Sequence, residues 1–110
     1  MSTSPQEVEA AFQQMRDQFK PEKAKGMDSV IQFDLAGEED INYWVHINDG
    51  DVEMHEGPAE EPDMTLIAKA QDFADVVYGR TNAMQAFMSN KLKVKGNMSL
   101  AMKLQSVFGL

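Results

Sequence analysis

INYWVHINDGDVEM, residues 41–54, alternates apolar and polar side chains on either side of an Asp49-Gly50 pair. Period-two alternation is the pattern of a half-buried strand, and Asp-Gly between two such runs is a strong signal for a two-residue hairpin turn. That turn sets Asn48 opposite Asp51, Ile47 opposite Val52 and Val45 opposite Met54. Ile41, Tyr43, Val45, Ile47, Val52 and Met54 then share one apolar face, while Asn42, Trp44, His46, Glu53 and His55 share the other. A one-sided antiparallel meander needs cover on one face and leaves most of the other to water.

Reading outward, residues 31–35 (IQFDL) alternate in the same way and supply a strand before the hairpin. Residues 57–62 (GPAEEP) are a loop by composition, and residues 64–70 read as a fourth strand. Upstream, Ser4-Pro5-Gln6-Glu7 carries the signals of a helix start: a capping hydroxyl, a proline at the first helical position and a capping-box glutamate. Val8, Ala11, Phe12, Met15 and Phe19 follow at spacings of three and four, one apolar stripe on a helix that Pro21 stops. Downstream, Phe73, Val76 and Val77 mark a short helix ending at Gly79, and Asn82 caps another whose apolar face is Met84, Phe87 and Met88. Residues 91–95 (KLKVK) read as a fifth strand with Leu92 and Val94 inward. After a Gly96-Asn97 turn, the last helix carries Met98, Leu100, Ala101, Met102, Leu104, Val107 and Phe108, an arc wider than one sheet contact requires.

A chain of 110 residues with 43% hydrophobic and 25% charged side chains fits one domain over residues 1–110. The absence of cysteine excludes disulfides, thiol nucleophiles and cysteine-ligated metal sites. No run approaches a membrane span, and MSTSPQEVEA is not a signal peptide, so a cytoplasmic location is expected. The net charge of −8 counts against nucleic acid as a partner. That charge is segregated: residues 26–63 hold twelve acids and no Lys or Arg, whereas residues 76–110 hold five basic residues and no acid. Two readings stand side by side. The blocks are solvated faces that attract each other across the fold, or the basic end makes transient contact with an anionic head group or membrane surface. Nine methionines are the other compositional feature; their flexible thioethers suit surfaces that adapt to several apolar shapes.

No nucleophile elbow or phosphate-binding glycine loop occurs, and the acid pairs Glu38-Glu39 and Glu60-Glu61 fall in turns or loops. No enzyme and no cofactor are expected. His46, His55 and Glu53 could hold a divalent ion, but a solvated strand face is the simpler reading and no metal site is assigned. Trp44 on that face lies under a loop or the first helix, marks a partner contact, or belongs to the other face.

Residues 86–105, AFMSNKLKVKGNMSLAMKLQ, closely resemble the signature of the sterol carrier protein 2 (sterol-binding) domain family. PEKAKG at 21–26, Trp44-Val45, Asn48-Asp49-Gly50, Asp63-Met64-Thr65-Leu66, and Asp72-Phe73 before Gly79 extend the likeness in order, over residues 8–108. The resemblance implies an α+β fold: a five-stranded, mainly antiparallel sheet with helices on one face enclosing an apolar lipid tunnel. It implies non-catalytic binding and carriage of fatty acids, fatty acyl-CoA or sterol-like lipids. Lining candidates are Phe33, Leu66, Phe73, Val77, Met84, Phe87, Met88, Leu100, Met102, Leu104 and Phe108. The last helix is the expected lid, and Lys91, Lys93, Lys95 and Lys103 either meet a carboxylate or CoA phosphate or are simply solvated. Asn90, Ala83 and Ser99 depart from residues common in the family, and Phe108-Gly109-Leu110 is not a Ser-Lys-Leu-type peroxisomal address. The alternative is an interaction or regulatory module with a vestigial pocket, working through its acidic meander.

Overall fold

The computed structural model describes residues 3–110; Met1 and Ser2, part of the stretch read above as no signal peptide, lie outside the described residues. Helix α1 (Pro5–Asp17) opens on the predicted capping box: Ser4 Oγ accepts from the Glu7 amide at 3.2 Å, and the Glu7 carboxylate accepts from the Ser4 amide at 3.3 Å. It ends at Asp17, ahead of Pro21, so Phe19 lies beyond it and packs instead against Phe108.

The sheet comprises β1 (Asp28–Ala36), β2 (Ile41–Asn48), β3 (Asp51–Glu56), β4 (Met64–Lys69) and β5 (Leu92–Gly96), in the order β3-β2-β1-β4-β5. The hairpin register is the one read from the sequence, with Asn48 opposite Asp51 and Val45 opposite Met54. Asp49 and Gly50 both take positive φ, 46° and 90°, as the tight turn requires. β4 pairs parallel to β1, with Ile31 beside Met64, and β5 returns antiparallel to β4. To reach β4, the chain after β3 crosses the outer face of the sheet, where the Ala59 amide donates to Gln32 Oε1 at 3.0 Å.

The α2 helix (Ala70–Val77) begins where β4 stops, so Ala70, read above as the end of a strand, is its first residue. Helices α3 (Ala83–Met88) and α4 (Met98–Val107) carry the asparagine caps expected of them. Asn82 accepts from the amides of Met84 and Gln85, and Asn97 from that of Leu100. Asn90, between α3 and β5, is left-handed at φ 63°, a conformation asparagine tolerates well. All four helices lie on the inner face. Phe12 is the hub of the packing there: it stacks on Tyr43 at 4.2 Å, tilts against Phe73 at 4.8 Å and meets Phe33 edge-on at 5.3 Å. Among the described residues no helix is long and apolar enough to cross a membrane.

Strand order puts acidic β3 and lysine-bearing β5 at opposite edges, and among the described residues no ion pair joins the blocks. β3 carries only Asp51, Glu53 and Glu56 of the acidic block; Asp63, by contrast, adjoins β5, its carbonyl accepting from the Asn97 amide at 3.3 Å.

Gly96 is held at φ +99°, and a Cβ there would come within 2.7 Å of the Asp63 carbonyl oxygen. Gly96→Ala should destabilise the chain by about 1–3 kcal/mol, measured by urea unfolding, because both backbone strain and a backbone clash oppose it.

Candidate functional site

Beyond the Phe12 cluster the inner face is not filled. A cavity lies between β4–β5 and the helices α2, α3 and α4, with about 830 Å³ of unfilled space including its open mouth; the part reachable by the centre of a water molecule is about 120 Å³. Its floor is Met64, Leu66, Leu92 and Val94, with Phe33 and Phe73 as the wall shared with the aromatic cluster. Val76 and Val77 of α2 form one side. Its roof is Met84 and Phe87 of α3 and Met98, Ala101, Met102 and Leu104 of α4, closed toward the chain end by Phe108 and Leu110. Gln105 is the one polar side chain among its lining residues.

Nine of the eleven candidates from sequence line this space: Phe33, Leu66, Phe73, Val77, Met84, Phe87, Met102, Leu104 and Phe108. Met88 does not. It is 76% exposed, because Ala86 is the residue that seats α3, and Met88 lies about 200° further round the helix. Leu100 is buried but lies outside the cavity lining; Met98, Ala101, Met102 and Gln105, spaced three and four apart, form the cavity face of α4. Ten further residues that were not among those candidates also line the cavity: Met15, Met64, Val76, Ala83, Leu92, Val94, Met98, Ala101, Gln105 and Leu110. The signal for Gln105 was present, since it continues the 98–101–102 stripe by a further turn.

The lid expectation changes. α4 is held at both ends: the Asn97 amide donates to the Asp63 carbonyl at 3.3 Å, and the Val107 carbonyl accepts from the Lys20 amide at 2.8 Å. Gln18 Nε2 also donates to the Phe108 carbonyl at 3.1 Å. α3 is shorter, and Ala86 is its one buried residue. The roof thus joins a ten-residue helix tied at both ends to a six-residue one, and the methionines of both are its rotatable side chains.

The outer face holds no comparable site. His46 Nε2 lies 2.7 Å from Asp28 Oδ1 and its Nδ1 is 3.7 Å from Glu53, while His55 stacks on Trp44 at 4.3 Å. The two imidazoles are thereby committed to different partners, and among the described residues no group of side chains could hold a metal ion. Trp44 is on the face read from the sequence, half-buried against His55 and on the opposite side of the sheet from α1.

A model of the SCP-2 sterol transfer family matches residues 8–109, and the chain belongs to that family. It is 32% identical over 101 residues to hydroxysteroid dehydrogenase-like protein 2 of Rattus norvegicus; the match takes in 91% of this chain and 19% of the relative's length. The fold matches apo sterol carrier protein 2 of Yarrowia lipolytica with a TM-score of 0.63 and 28% identity, over 90% of each chain. It also matches the palmitate complex of sterol carrier protein-2 of Aedes aegypti, with a TM-score of 0.67 and 19% identity, over 96% of this chain and 94% of the other.

Electrostatic anomalies sit outside the cavity. Asp75 is held below the usual carboxylate range chiefly by the Arg80 hydrogen bond at 2.8 Å. Tyr43, whose hydroxyl donates to Glu56 at 3.2 Å, is pushed up to about 12 by burial first and by the Glu56 charge second. Its neutral form is the one the fold favours. That stabilisation is complete below the unfolded value of 10.0 and disappears as pH rises through about 12. Thermal melts of the wild type between those pH values should therefore fall more steeply than those of Tyr43→Phe.

Proposed function

We propose that this chain binds and carries a lipid by enclosing its acyl chain in the cavity, without catalysis. The observation that carries this reading is a lining in which every residue but Gln105 has an apolar side chain. Each methylene removed from water contributes about 0.8 kcal/mol, so a dozen supply on the order of 10 kcal/mol before ordering costs. Such a sum suits tight but reversible binding. The lining holds no ionisable side chain and no hydroxyl, which leaves nothing to act as nucleophile or general base. Gln105 offers a carboxamide to one polar group of the ligand.

Fatty acids fit this arrangement best, with acyl-CoA and sterol-like molecules as further ligands. Met84, Met98 and Met102 are unbranched and rotate at low cost, so the roof conforms to chains of different length. The palmitate-bound Aedes aegypti protein of the same fold supports a fatty acid as the first ligand to test. Transient contact with a membrane, where lipids are taken up and delivered, belongs to the same reading.

Native mass spectrometry of freshly purified protein should show lipid-sized adducts, and palmitate should displace a bound fluorescent fatty acid. Palmitate at a hundredfold excess over its dissociation constant should raise the melting temperature by roughly 10 °C. Ala101→Trp, which fills the cavity, should weaken binding by about tenfold or more while the ligand-free protein still melts cooperatively. A clean ligand-free mass with no displacement and no melting shift would overturn the reading and favour an interaction module with a vestigial pocket.

A further inference from the structure

We propose that the two edges of the sheet are complementary docking strands: β3 of one copy pairs antiparallel with β5 of a second copy of this chain. The proposal goes beyond the carrier reading and does not depend on it.

The backbone meets the first requirement. The Gly57 amide donates to the Asn42 carbonyl at 2.8 Å, in line with the β2–β3 register. Asp51, Glu53 and His55 therefore bond to β2, while Val52 and Met54 present their N–H and C=O groups at the open edge. The Asn97 amide donates to the Asp63 carbonyl at 3.3 Å, in line with the β4–β5 register. Lys93 and Lys95 therefore bond to β4, while Leu92 and Val94 present their groups outward. Among the described residues no turn, loop or cap hydrogen bond takes up those groups. β3 and β5 run in opposite directions, because three antiparallel pairs and one parallel pair separate them. A second copy set beside the first, with its sheet in the same orientation, meets it antiparallel.

The side chains set the register. Read antiparallel, Asp51-Val52-Glu53-Met54-His55 lies against Lys95-Val94-Lys93-Leu92-Lys91. Val52 and Met54, which pack against the core, meet Val94 and Leu92, which floor the cavity. On the outer face Asp51 meets Lys95 and Glu53 meets Lys93. Opposite charges facing each other across a ladder stabilise it, and like charges oppose it. The lysines thus keep β5 from pairing with another β5, and the acids keep β3 from another β3, so the mixed pairing is the one the charges allow. Among the described residues Asp51, Lys91, Lys93 and Lys95 are in no ion pair within their own copy, and Glu53 reaches His46 at 3.7 Å. Asp63 and Asp75, acids close to the ends of β5, are engaged elsewhere. Asp63 Oδ2 accepts from the Val30 amide at 2.8 Å, and Asp75 Oδ1 from Arg80 at 2.8 Å.

The β5 edge is also shaped for a strand. A surface depression lies between Leu92, Lys93 and Val94 on one side and Phe87 and Met88 of α3 on the other. Phe87, at the cavity rim, and Met88 beside it are exposed. A strand laid on β5 covers apolar surface that a lone copy leaves to water. The contact joins two different surfaces, so each added copy leaves an edge free and growth is open-ended. Five residues a side fall well short of the roughly 1,200 Å² of a stable complex, so association is weak and reversible.

Sedimentation velocity and amide hydrogen exchange of the full chain, up to about 1 mM protein, test the proposal. At about 0.15 M salt the screening length of roughly 8 Å spares charges in contact and damps repulsion between whole copies of net charge −8. The mean mass should rise with concentration without levelling at two copies. The amides of Val52, Met54, Leu92 and Val94 should gain protection together. Glu53→Lys or Lys93→Glu alone should weaken association by about tenfold or more. An equal mixture of the two variants should restore it, because the reversed β3 of one fits the reversed β5 of the other. Neither residue lines the cavity, and both variants should still melt cooperatively. If either does not, the exchange pattern of the wild type decides alone. A mass independent of concentration, a plateau at two copies, protection away from the two edges, or no recovery in the mixture of folded variants would overturn the proposal.

Discussion

The ring of Phe12 is the constraint on which the rest of the arrangement depends. It reaches from α1 to touch Tyr43 of β2, Phe33 of β1 and Phe73 of α2, all within ring-contact distance. Four aromatic side chains from four elements fix the helix layer over the β1–β2 half of the sheet. They also decide where filling stops. Phe33 and Phe73 turn one side to Phe12 and the other to empty space, so the unfilled volume is confined to the β4–β5 half. A hollow domain of this size is possible because the solid part of its core is concentrated in one place and packed by its largest side chains.

The sequence was most legible where a local rule has one solution. The Asp49-Gly50 turn admits one hairpin register, and the register places every side chain of β2 and β3 on its face. Ser4, Asn82 and Asn97 announce their helices because an unpaired amide at a helix start has few other acceptors. The parallel β1–β4 pair was less legible, since it depends on a crossing over the outer face that no local pattern encodes. The placement of acidic β3 and lysine-bearing β5 at opposite edges was hidden for the same reason: it follows from strand order, not from spacing along the chain.

For the cavity, periodicity identified which residues point inward but not what they meet. Phe33 and Val45 look alike in the sequence, yet one faces the cavity and the other is sealed in packing. In a helix as short as α3, a single small residue, Ala86, settles which side is down, and Met88 is turned outward by that choice. Leu100 was misread by the same logic on α4, where two apolar flanks compete and Met98, Ala101 and Met102 take the cavity side. The likeness to sterol carrier proteins located the region, and side-chain geometry selected the residues within it.

The distribution of methionine has a chemical consequence apart from shape. Met15, Met27 and Met64 are buried, whereas Met84, Met88, Met98 and Met102 stand at the rim with 37%, 76%, 47% and 57% of their surface exposed. The chain has no cysteine, so thioethers are its only oxidisable sulfur. Peroxide reaching the protein meets the rim before the core, and each sulfoxide formed there turns an apolar, pliant side chain into a polar one. Among the described residues the mouth of the cavity is therefore where methionine oxidation acts first, and enzymatic reduction of the sulfoxides restores it while the sheet and the aromatic cluster stay as they were.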